Sequence, residues 1–486
     1  MKLPIVGGAY LARSTNIAAD RCVNLYPEVA GTGSAKSVAA LIGCPGTRLL
    51  LNVSINADIY AVRGMYVPTV GTRFLVVCGN RVWWVSDSFI VTSAGTLLTY
   101  EGRVSFSDNG TTGFIVDGDY GYTITLAGAS TVSQIVDPDF LGADVVDYLD
   151  GYGIFNKPRT QQFYISSLLG TSFDALDFAS AEGSPDVLVS LIVDHGELLL
   201  FGQYSTEVFY DTGNPDFPLE RQNTRIEVGC SAVHSVAKID NAVIWLGGTK
   251  IGGASIYMMR GYQPQVISTH AIDFAISGYT TISDAFAFTF TFEGHSFYWI
   301  TFPTGNATWV YDLTTNLWHE RAYLDPVSGV LGRHRANSHV YFAGKHLVGD
   351  FENGNIYELD PDYYSDNGEA MPAIRTFGHT AADDYGYLYW DSLQVDLEAG
   401  VGTVTSGSVQ VGDNTDPVIM LDYSDDGGHT WSAQRTAKMG KVGEYRKRAR
   451  WLRLGRSRDR VNRITITDAV KRIIIGASAS VRKGGN

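Results

Sequence analysis

Apolar and polar residues alternate with a period of two along most of the chain, as the two faces of a β-strand require. Capped stretches with helical spacing are scarce. The alternation predicts an all-β fold. Before residue 364, strands are predicted at 73–78, 81–85, 112–116, 121–126, 198–202, 206–210, 242–246, 255–260, 285–292, 295–302, 308–312, 339–342 and 354–359.

One type of strand recurs, with aromatic and aliphatic residues followed by a polar turn. The residues at its centres are Trp84, Tyr122, Tyr164, Phe209, Tyr257, Val310 and Tyr357. They are separated by 38 to 53 residues, close to the roughly 40–50 residues of a four-stranded propeller blade. We therefore predict a β-propeller-like body over residues 47–364. A run of β-sandwiches is the alternative, since the repeats share no strict signature.

The pattern changes after residue 364. A polar stretch at 365–372 is a predicted linker, and longer alternating strands follow it. These strands are predicted at 388–397, 407–411, 418–423, 449–454, 461–466 and 472–477. Residues 365–486 are predicted to form the linker and a C-terminal β-sandwich, and residues 1–46 an extended docking segment.

Composition supports this fold class. The chain has 53 glycines and 12% aromatic residues, which suit tight turns and pleated surfaces, and only 18% of its residues are charged. The four cysteines are far apart, so neither a zinc site nor a disulfide framework is expected. Neither a secretion signal nor a membrane span is evident. We expect a protein without cofactors that is made in the cytoplasm.

Charge is divided unevenly along the chain. The net charge is −14, yet residues 435–486 contain 16 Lys and Arg against three acids. That segment therefore carries +13, which leaves −27 for residues 1–434. The split predicts an interaction surface at the C-terminal end of the chain.

The basic residues concentrate in one run. The candidate interface residues are Arg446, Lys447, Arg448, Arg450, Arg453, Arg456, Arg458 and Arg460. If 445–454 is a strand, Arg446, Arg448 and Arg450 share one face, and the arginines after Gly455 alternate again. Such an array can dock onto an acidic partner or neighbouring subunit, contact nucleic-acid phosphates, or remain a solvated strand face.

Ser424, Asp426, Gly428 and Trp431 fit the Asp-box of sialidase-like propellers. We interpret it as a structural hairpin turn, in which the aspartate accepts hydrogen bonds from turn amides. It occurs once and outside the predicted propeller. No nucleophile motif, metal motif or phosphate loop accompanies it, so no enzyme is expected. A carbohydrate-binding or sialidase-like propeller is the alternative function.

Several segments together resemble the tail hub, or packaged-DNA stabilisation protein, of short-tailed bacteriophages. They are RCVNLYPE at 21–28, LIGCPGT at 41–47, GRVSF at 102–106, QFYIS at 162–166, AEGSPD at 181–186, LLFG at 199–202, STEVFY at 205–210 and RWLRLGR at 450–456. Each segment is short, and their order carries the resemblance.

The resemblance implies a virion protein that forms a hexameric nozzle below the portal and adaptor rings. Such a nozzle would conduct and retain packaged double-stranded DNA without reading its sequence, take part in genome ejection, and anchor tail fibres or spikes and a needle. The family brings no catalytic residues. An acidic body suits a conduit because it repels phosphates, and the basic domain would then dock onto an acidic ring or a neighbouring subunit.

Overall fold

The computed structural model describes residues 1–30, 37–54, 60–128, 130–181, 183, 186–401 and 416–484. Within these residues β-strands predominate, and the single α-helix is His270–Ser277, whose first turn is capped by the Thr269 hydroxyl. The predicted all-β class is confirmed. The strand predicted at 407–411 lies outside the described residues.

Seven antiparallel sheets follow one another over the described part of residues 46–360, and we call them blades 1 to 7. Blades 1 to 3 consist of Val62–Tyr66, Arg73–Cys78, Arg81–Ser86 and Val91–Thr96; Ser105–Asp108, Thr112–Val116, Gly121–Thr125 and Ser133–Gln134; and Val146–Leu149, Tyr152–Asn156, Gln162–Ile165 and Phe178–Ser180. Blades 4 and 5 consist of Leu188–Asp194, Glu197–Gly202, Thr206–Asp211 and Leu219–Ile226; and Gly229–Cys230, Ala237–Ile239, Ala242–Thr249, Gly252–Arg260 and Gln263–Val266. Blades 6 and 7 consist of Phe286–Phe292, His295–Phe302, Ala307–Asp312 and Leu317–Glu320; and Ala336–Phe342, Lys345–Asp350, Asn355–Asp360 and Gly46–Asn52.

Blade 7 is completed by a strand from the other end of the propeller sequence. Gly46–Asn52 pairs antiparallel with Asn355–Asp360, and the first strands of blades 7 and 1 pack together. The ring of blades is thereby closed. The β-propeller prediction is confirmed, and the closing strand joins segments about 300 residues apart in sequence.

Tight hairpins connect the inner strands of several blades. Asp150 and Gly151 have φ values of 47° and 104° between the first two strands of blade 3, and His195 and Gly196 have 50° and 77° in blade 4. Paired positive φ values are those of a type I′ turn, whose twist matches that of the flanking strands. His195 is therefore a turn residue.

The seven aromatic or aliphatic repeat centres all lie on the third strand of a blade, counted in the order in which the strands pair across the sheet. Trp84, Tyr122, Tyr164, Phe209, Val310 and Tyr357 are buried there, and Tyr257 is half-buried. These strands have neighbours on both edges and on both faces, so their side chains pack between adjacent blades. Their burial explains why the sequence pattern is clearest at these positions.

The C-terminal domain is a β-sandwich, as predicted. Its strands are Ala373–Ala381, Leu388–Leu397, Val418–Ser424, Arg435–Lys438, Ala449–Leu452, Arg456–Ser457, Asp459–Ile466 and Ile473–Lys483. We call the sheet built on Leu388–Leu397 and Ile473–Lys483 the C-terminal sheet. The facing sheet contains Ala373–Ala381, Asp459–Ile466 and Val418–Ser424.

Four of the six N-terminal strands belong to these two sheets, whereas Tyr10–Leu11 and Ala19–Asp20 pair with each other in a separate two-stranded sheet. The strands before residue 46 are Lys2–Leu3, Tyr10–Leu11, Ala19–Asp20, Cys22–Val23, Leu25–Val29 and Ala39–Gly43. Lys2–Leu3 and Ala39–Gly43 pair with Ile473–Lys483 in the C-terminal sheet. Cys22–Val23 lies between Leu317–Glu320 of blade 6 and Ala373–Ala381 of the sandwich, so one continuous sheet joins propeller and sandwich.

The hydrophobic core also extends across both the propeller and the sandwich. Trp309 and Trp318 of blade 6, Ile272 of the helix and Trp390 and Trp451 of the sandwich all belong to one buried apolar cluster. Burial of each such aromatic side chain contributes about 2–3 kcal/mol. Propeller and sandwich are therefore packed against each other through a shared core.

The strand predicted at 449–454 is shorter than expected, and the longer strand considered over 445–454 does not form. The strand comprises only Ala449–Leu452, and residues 445–448 lie outside it. Arg453 has a φ of 55°, which breaks the alternation, and Leu454 is buried instead of lying on the same face as Leu452. The predicted shared face of Arg446, Arg448 and Arg450 does not form along a single strand.

Candidate interface on the C-terminal sheet

The outer face of the C-terminal sheet displays most of the basic residues. Cross-strand pairs place Arg456 and Arg482 on either side of Tyr389, and Arg450 beside Gln394. Cross-strand partners in an antiparallel sheet point to the same side, so these cations share one face. We call Arg448, Arg450, Arg456 and Arg482, with Tyr389 and Leu452, the basic face.

Three contacts orient individual side chains on or beside this face. The Arg450 guanidinium lies 3.4 Å from the Ser392 hydroxyl, to which it donates a hydrogen bond. The guanidinium carbons of Arg456 and Arg458 lie 4.5 and 4.8 Å from the centroid of the Tyr387 ring. Cation–π contacts of this kind hold the arginines in place without neutralising their charge.

Most of these cations have no counter-ion. Among the described residues, no carboxylate forms an ion pair with Arg446, Lys447, Arg448, Arg450, Arg453, Arg456 or Arg458. Arg482 does pair with Asp391 through two bonds of 2.8 Å, which raises the pKa of Arg482 and lowers that of Asp391. A concentrated field of unpaired positive charge therefore remains beside the sheet.

A shallow cavity of about 350 Å³ adjoins the basic face. It is lined by Lys2, Gln394, Asp396, Arg448 and Ser478, among others. Polar side chains of both signs line it, together with the apolar N-terminal residues 3–6. A protein side chain could enter it more readily than a nucleic-acid backbone, which would meet the carboxylate of Asp396.

Arg460 is not part of this surface. Its side chain is buried at 1% exposure and forms bonds of 2.6 and 2.8 Å to the Asp425 carboxylate, and it donates to the Leu454 carbonyl at 2.7 Å. The guanidinium also stacks on the Tyr423 ring at 3.8 Å. The chain passes from the C-terminal sheet to the facing sheet between Ser457 and Asp459, which turns Arg460 inward.

The Asp-box forms a turn between Val418–Ser424 and Arg435–Lys438. Asp426 accepts hydrogen bonds from the Ser424 hydroxyl at 2.6 Å, the Thr430 amide at 2.9 Å and the Thr430 hydroxyl at 2.6 Å. These bonds lower the pKa of Asp426. Gly428 has a φ of 98°, and the Trp431 ring packs under the Arg463 guanidinium at 3.9 Å. Every polar contact of Asp426 stays within the turn.

The AEGSPD and STEVFY segments meet in blade 4. Asp186 accepts hydrogen bonds from the amides of Gln203, Tyr204 and Ser205 at 2.7 to 2.9 Å, and from the Ser205 hydroxyl at 3.2 Å. Glu207 accepts from the Gly183 amide at 2.7 Å. Asp186 and Glu207 therefore hold loops in place.

Sequence reasoning missed part of the basic face. Lys2 reaches it only because the N-terminal strand pairs with Ser478, and Tyr387 and Tyr389 flank the arginines from another strand. For Arg482 the sequence did carry a signal, because polar and apolar residues alternate over Ser478–Arg482 and place Arg482 on the exposed side of the strand.

The described residues hold no group of three or more potential metal-ligating side chains. Nor does that part of the chain contain a helix of the length and apolarity that crossing a membrane requires.

Comparison with known proteins identifies the family. The family described as bacteriophage P22 Gp10, beta-propeller, matches residues 1–364, and the one described as bacteriophage P22 Gp10, beta-sandwich, matches residues 374–482. No curated protein matches the chain. Among solved structures, the N-terminal domain of Nup159 is similar with a TM-score of 0.41 and 11% identity, covering 70% of this chain and 99% of that one. Because the two family matches follow each other over nearly the whole chain, this protein belongs to the bacteriophage P22 Gp10 family of phage tail proteins.

Proposed function

We propose that the protein forms the tail nozzle of a short-tailed phage as a ring of identical copies, with six as the expected number. In this proposal the nozzle is assembled in the host cytoplasm, lies below the portal and adaptor rings, and conducts and retains packaged DNA. It also anchors fibres or spikes and a needle, and it performs no catalysis. Family membership supports the tail location. The unpaired basic face is the observation that carries the assignment of the docking surface.

The basic face suits an acidic protein surface better than DNA. Leu452 is 51% exposed and Tyr389 is 39% exposed among the arginines, and apolar contacts of this kind are typical of protein interfaces. We therefore propose docking onto an acidic adaptor ring or a neighbouring subunit, with Arg446, Lys447, Arg453 and Arg458 at its margin.

The negative charge of the rest of the chain suits a conduit for DNA. Residues 1–434 carry −27 in each copy, and an acidic wall lets DNA slide because it offers few phosphate-binding sites. We also retain as a proposal the division into residues 1–46, 47–364 and 365–486, with the first segment docked on the sandwich.

Charge reversal tests the docking surface. The triple variant Arg448→Glu, Arg450→Glu, Arg456→Glu should fail to join nozzle-free phage particles, because three attractive contacts become repulsive. Attachment is measured by sedimentation of the protein with particles and by electron microscopy of their tails. The matched control reverses three exposed cations of the propeller, Arg159, Lys250 and Arg260, and should attach normally.

Normal attachment of the basic-face variant would contradict the docking proposal. A steeply salt-dependent affinity of the unmodified protein for duplex DNA, lost in the same variant, would instead favour nucleic-acid contact. Microscopy of the assembled tail tests the nozzle itself, since a central ring below the capsid vertex is expected and a peripheral spike would contradict it.

A further inference from the structure

Arg103 crosses the central channel of the propeller. It precedes the first strand of blade 2, yet its guanidinium donates to the carbonyl of Asn337 in blade 7 at 2.7 Å and to the Asn337 side-chain oxygen at 3.3 Å. The same group lies 3.8 Å from the centroid of the Phe286 ring at the start of blade 6. One side chain thus contacts two blades across the channel.

The charge of Arg103 is not compensated. Asn337 is the only residue to which its guanidinium donates a hydrogen bond in the described chain, and no carboxylate pairs with it. Burial, together with the positive charge of Arg333, lowers the pKa of Arg103 to about 9. A buried cation of this kind is stabilised when an anion reaches it.

Arg333 supplies a second guanidinium at the same end of the channel. It lies 3.6 Å from the centroid of the Phe351 ring, and its guanidinium makes no hydrogen bond within the described residues. Burial lowers its pKa, which Glu352 and Asp284 partly offset. Phe351 and Phe286 therefore hold the two guanidiniums as planar, fixed donors.

The acids nearby are largely occupied. Glu352 accepts from Arg335 at 2.8 Å, and Asp284 accepts from the Thr304 amide and hydroxyl at 2.8 and 2.6 Å. The second Asp284 oxygen has no partner, and Glu101 lies exposed at the rim. None of these carboxylates offsets the charge of Arg103, so donors remain available at the centre of the site.

Two adjoining cavities form a groove at this end. One, of about 400 Å³, is lined by Arg103, Arg333 and the exposed Tyr60 and Tyr100, among others. The other, of about 430 Å³, shares Arg333, Phe351 and Glu352 with it and runs along a hairpin formed by Ala322–Leu324 and Leu331–Arg333. That hairpin exposes Val327 at 94% and Val330 at 61%. We call the two cavities together the channel groove.

We propose that the channel groove binds an extended peptide segment of a partner protein, with an aspartate or glutamate carboxylate held between Arg103 and Arg333. Residues that flank the acid would pack on Tyr100 and on the hairpin valines. Two arginine forks match a carboxylate, and exposed tyrosine beside arginine is typical of energetically important contacts. The groove lies on the propeller and its role does not depend on docking by the basic face.

A peptide fits this groove better than DNA. Each cavity has the volume of only a few side chains, so neither can enclose a DNA duplex. Glu101 at the rim and the net charge of −27 over residues 1–434 repel a polyanion, whereas a single carboxylate meets two cations at close range.

A library of short random peptides, selected on the intact protein, tests the proposal. Selected peptides should share an acidic residue flanked by apolar ones. Replacing that acid by its amide should weaken binding by about tenfold or more, and Arg333→Gln should weaken binding of the acidic peptide to a similar extent. Arg103→Gln should do the same, and Arg103→Lys should retain part of the affinity because it keeps the charge.

Controls separate the site from misfolding and from general charge effects. Arg159→Gln removes an exposed propeller cation elsewhere and should leave peptide binding unchanged. Arg333 has no hydrogen bonds to lose, so its variant should fold even if Arg103→Gln does not. The proposal is wrong if the selected peptides share no acidic residue, or if Arg333→Gln binds the acidic peptide normally. It is also wrong if inorganic phosphate or duplex DNA displaces the bound peptide as effectively as a small free carboxylate does.

Discussion

At the scale of single residues, buried acceptors hold the loops of the propeller. Asp186 is 6% exposed and accepts four hydrogen bonds, three of them from consecutive backbone amides at 203–205. Backbone amides that are buried without an acceptor cost free energy, so one carboxylate stabilises an entire turn. The same segment carried part of the family resemblance, and its role in this structure is to fix the turn.

Removing this acceptor should destabilise blade 4. Asp186→Ala leaves the buried amide and hydroxyl of Ser205 without their acceptor and should lower the free energy of unfolding by about 2–4 kcal/mol. Urea unfolding measures the change. Asp211→Ala is the control in the same blade, because Asp211 accepts a single bond from the Gly213 amide in an exposed turn, and it should cost less than about 1 kcal/mol. Equal effects of the two variants would contradict the role of Asp186.

Arg460 and Arg458 show how differently two neighbouring arginines act. Arg460 is buried and paired with Asp425, whereas Arg458 is exposed and stacks on Tyr387. Arg460→Ala should lower the free energy of unfolding by about 2–3 kcal/mol, since the Leu454 carbonyl and the Asp425 carboxylate lose their donor. Arg458→Ala should change it by about 0.5 kcal/mol. Comparable urea midpoints for the two variants would refute this assignment.

At the scale of elements, the closing strand of blade 7 depends on a close backbone approach. The Gly46 amide donates to the Tyr363 carbonyl at 2.8 Å, and a Cβ at Gly46 would lie 2.2 Å from that oxygen and 2.5 Å from the Ser365 oxygen. Both obstacles are backbone atoms, which cannot move aside as a side chain can. The linker thus packs directly on the strand that closes the propeller.

A methyl group at this position should loosen the closure. Gly46→Ala should lower the free energy of unfolding by about 1–3 kcal/mol through overpacking, and should raise the rate of proteolysis between blades 7 and 1. Gly253→Ala is the matched control, because no atom lies within 4 Å of its Cβ in an exposed strand of blade 5. It should be neutral in both measurements. A neutral Gly46→Ala would mean that the linker can shift freely.

At the scale of the whole molecule, buried histidines couple stability to pH. Burial lowers the pKa of His234, His319 and His339 to about 3, and it holds the pKa of His334 well below its usual value. A histidine with a lowered pKa stays neutral in the folded protein while the unfolded chain takes up a proton. Its stabilising effect is therefore complete above the unfolded value of about 6.5 and is lost as the pH falls toward 3.

Acid should therefore unfold this protein readily. Each such histidine contributes a loss of about 1.4 kcal/mol per pH unit below about 6.5. Asp366 acts in the opposite direction, since burial raises its pKa to about 6, so it stabilises the folded state as the pH falls from 6 toward 4. The four histidines together lose more stability over this pH range than Asp366 adds. Thermal unfolding should show a clear decrease in melting temperature between pH 7 and pH 5.

A histidine variant tests the cause of this pH dependence. His319→Phe removes a ring nitrogen that has no partner and adds apolar volume beside a small cavity, so it should be no less stable at pH 7. It should lose less stability than the unmodified protein between pH 7 and pH 5. His270→Phe, at an exposed position, should leave the slope unchanged. An unchanged slope for His319→Phe would contradict the assignment.

The sequence by itself determined the fold class, the repeat and the charged segment. Strand patterns are local, and the clearest one is the short buried run bounded by polar residues in third strands such as Arg81–Ser86 and Asn355–Asp360, which are buried on both faces. All seven repeat centres were placed correctly for this reason. The concentration of arginine after residue 435 can likewise be read from the sequence alone, without knowing what these residues contact.

Tertiary structure alone decided which distant segments meet. The two-residue strand Lys2–Leu3 is too short to show alternation, and it pairs with Ala477 and Ser478, more than 400 residues away in sequence. Arg456, Arg458 and Arg460 alternate alike in sequence, but the change of sheet after Ser457 buries only the last. Arg103 meets Asn337 across 234 residues only because the ring of blades closes. Local pattern fixes which side chains a strand can bury, and the long-range pairing of strands fixes what they contact.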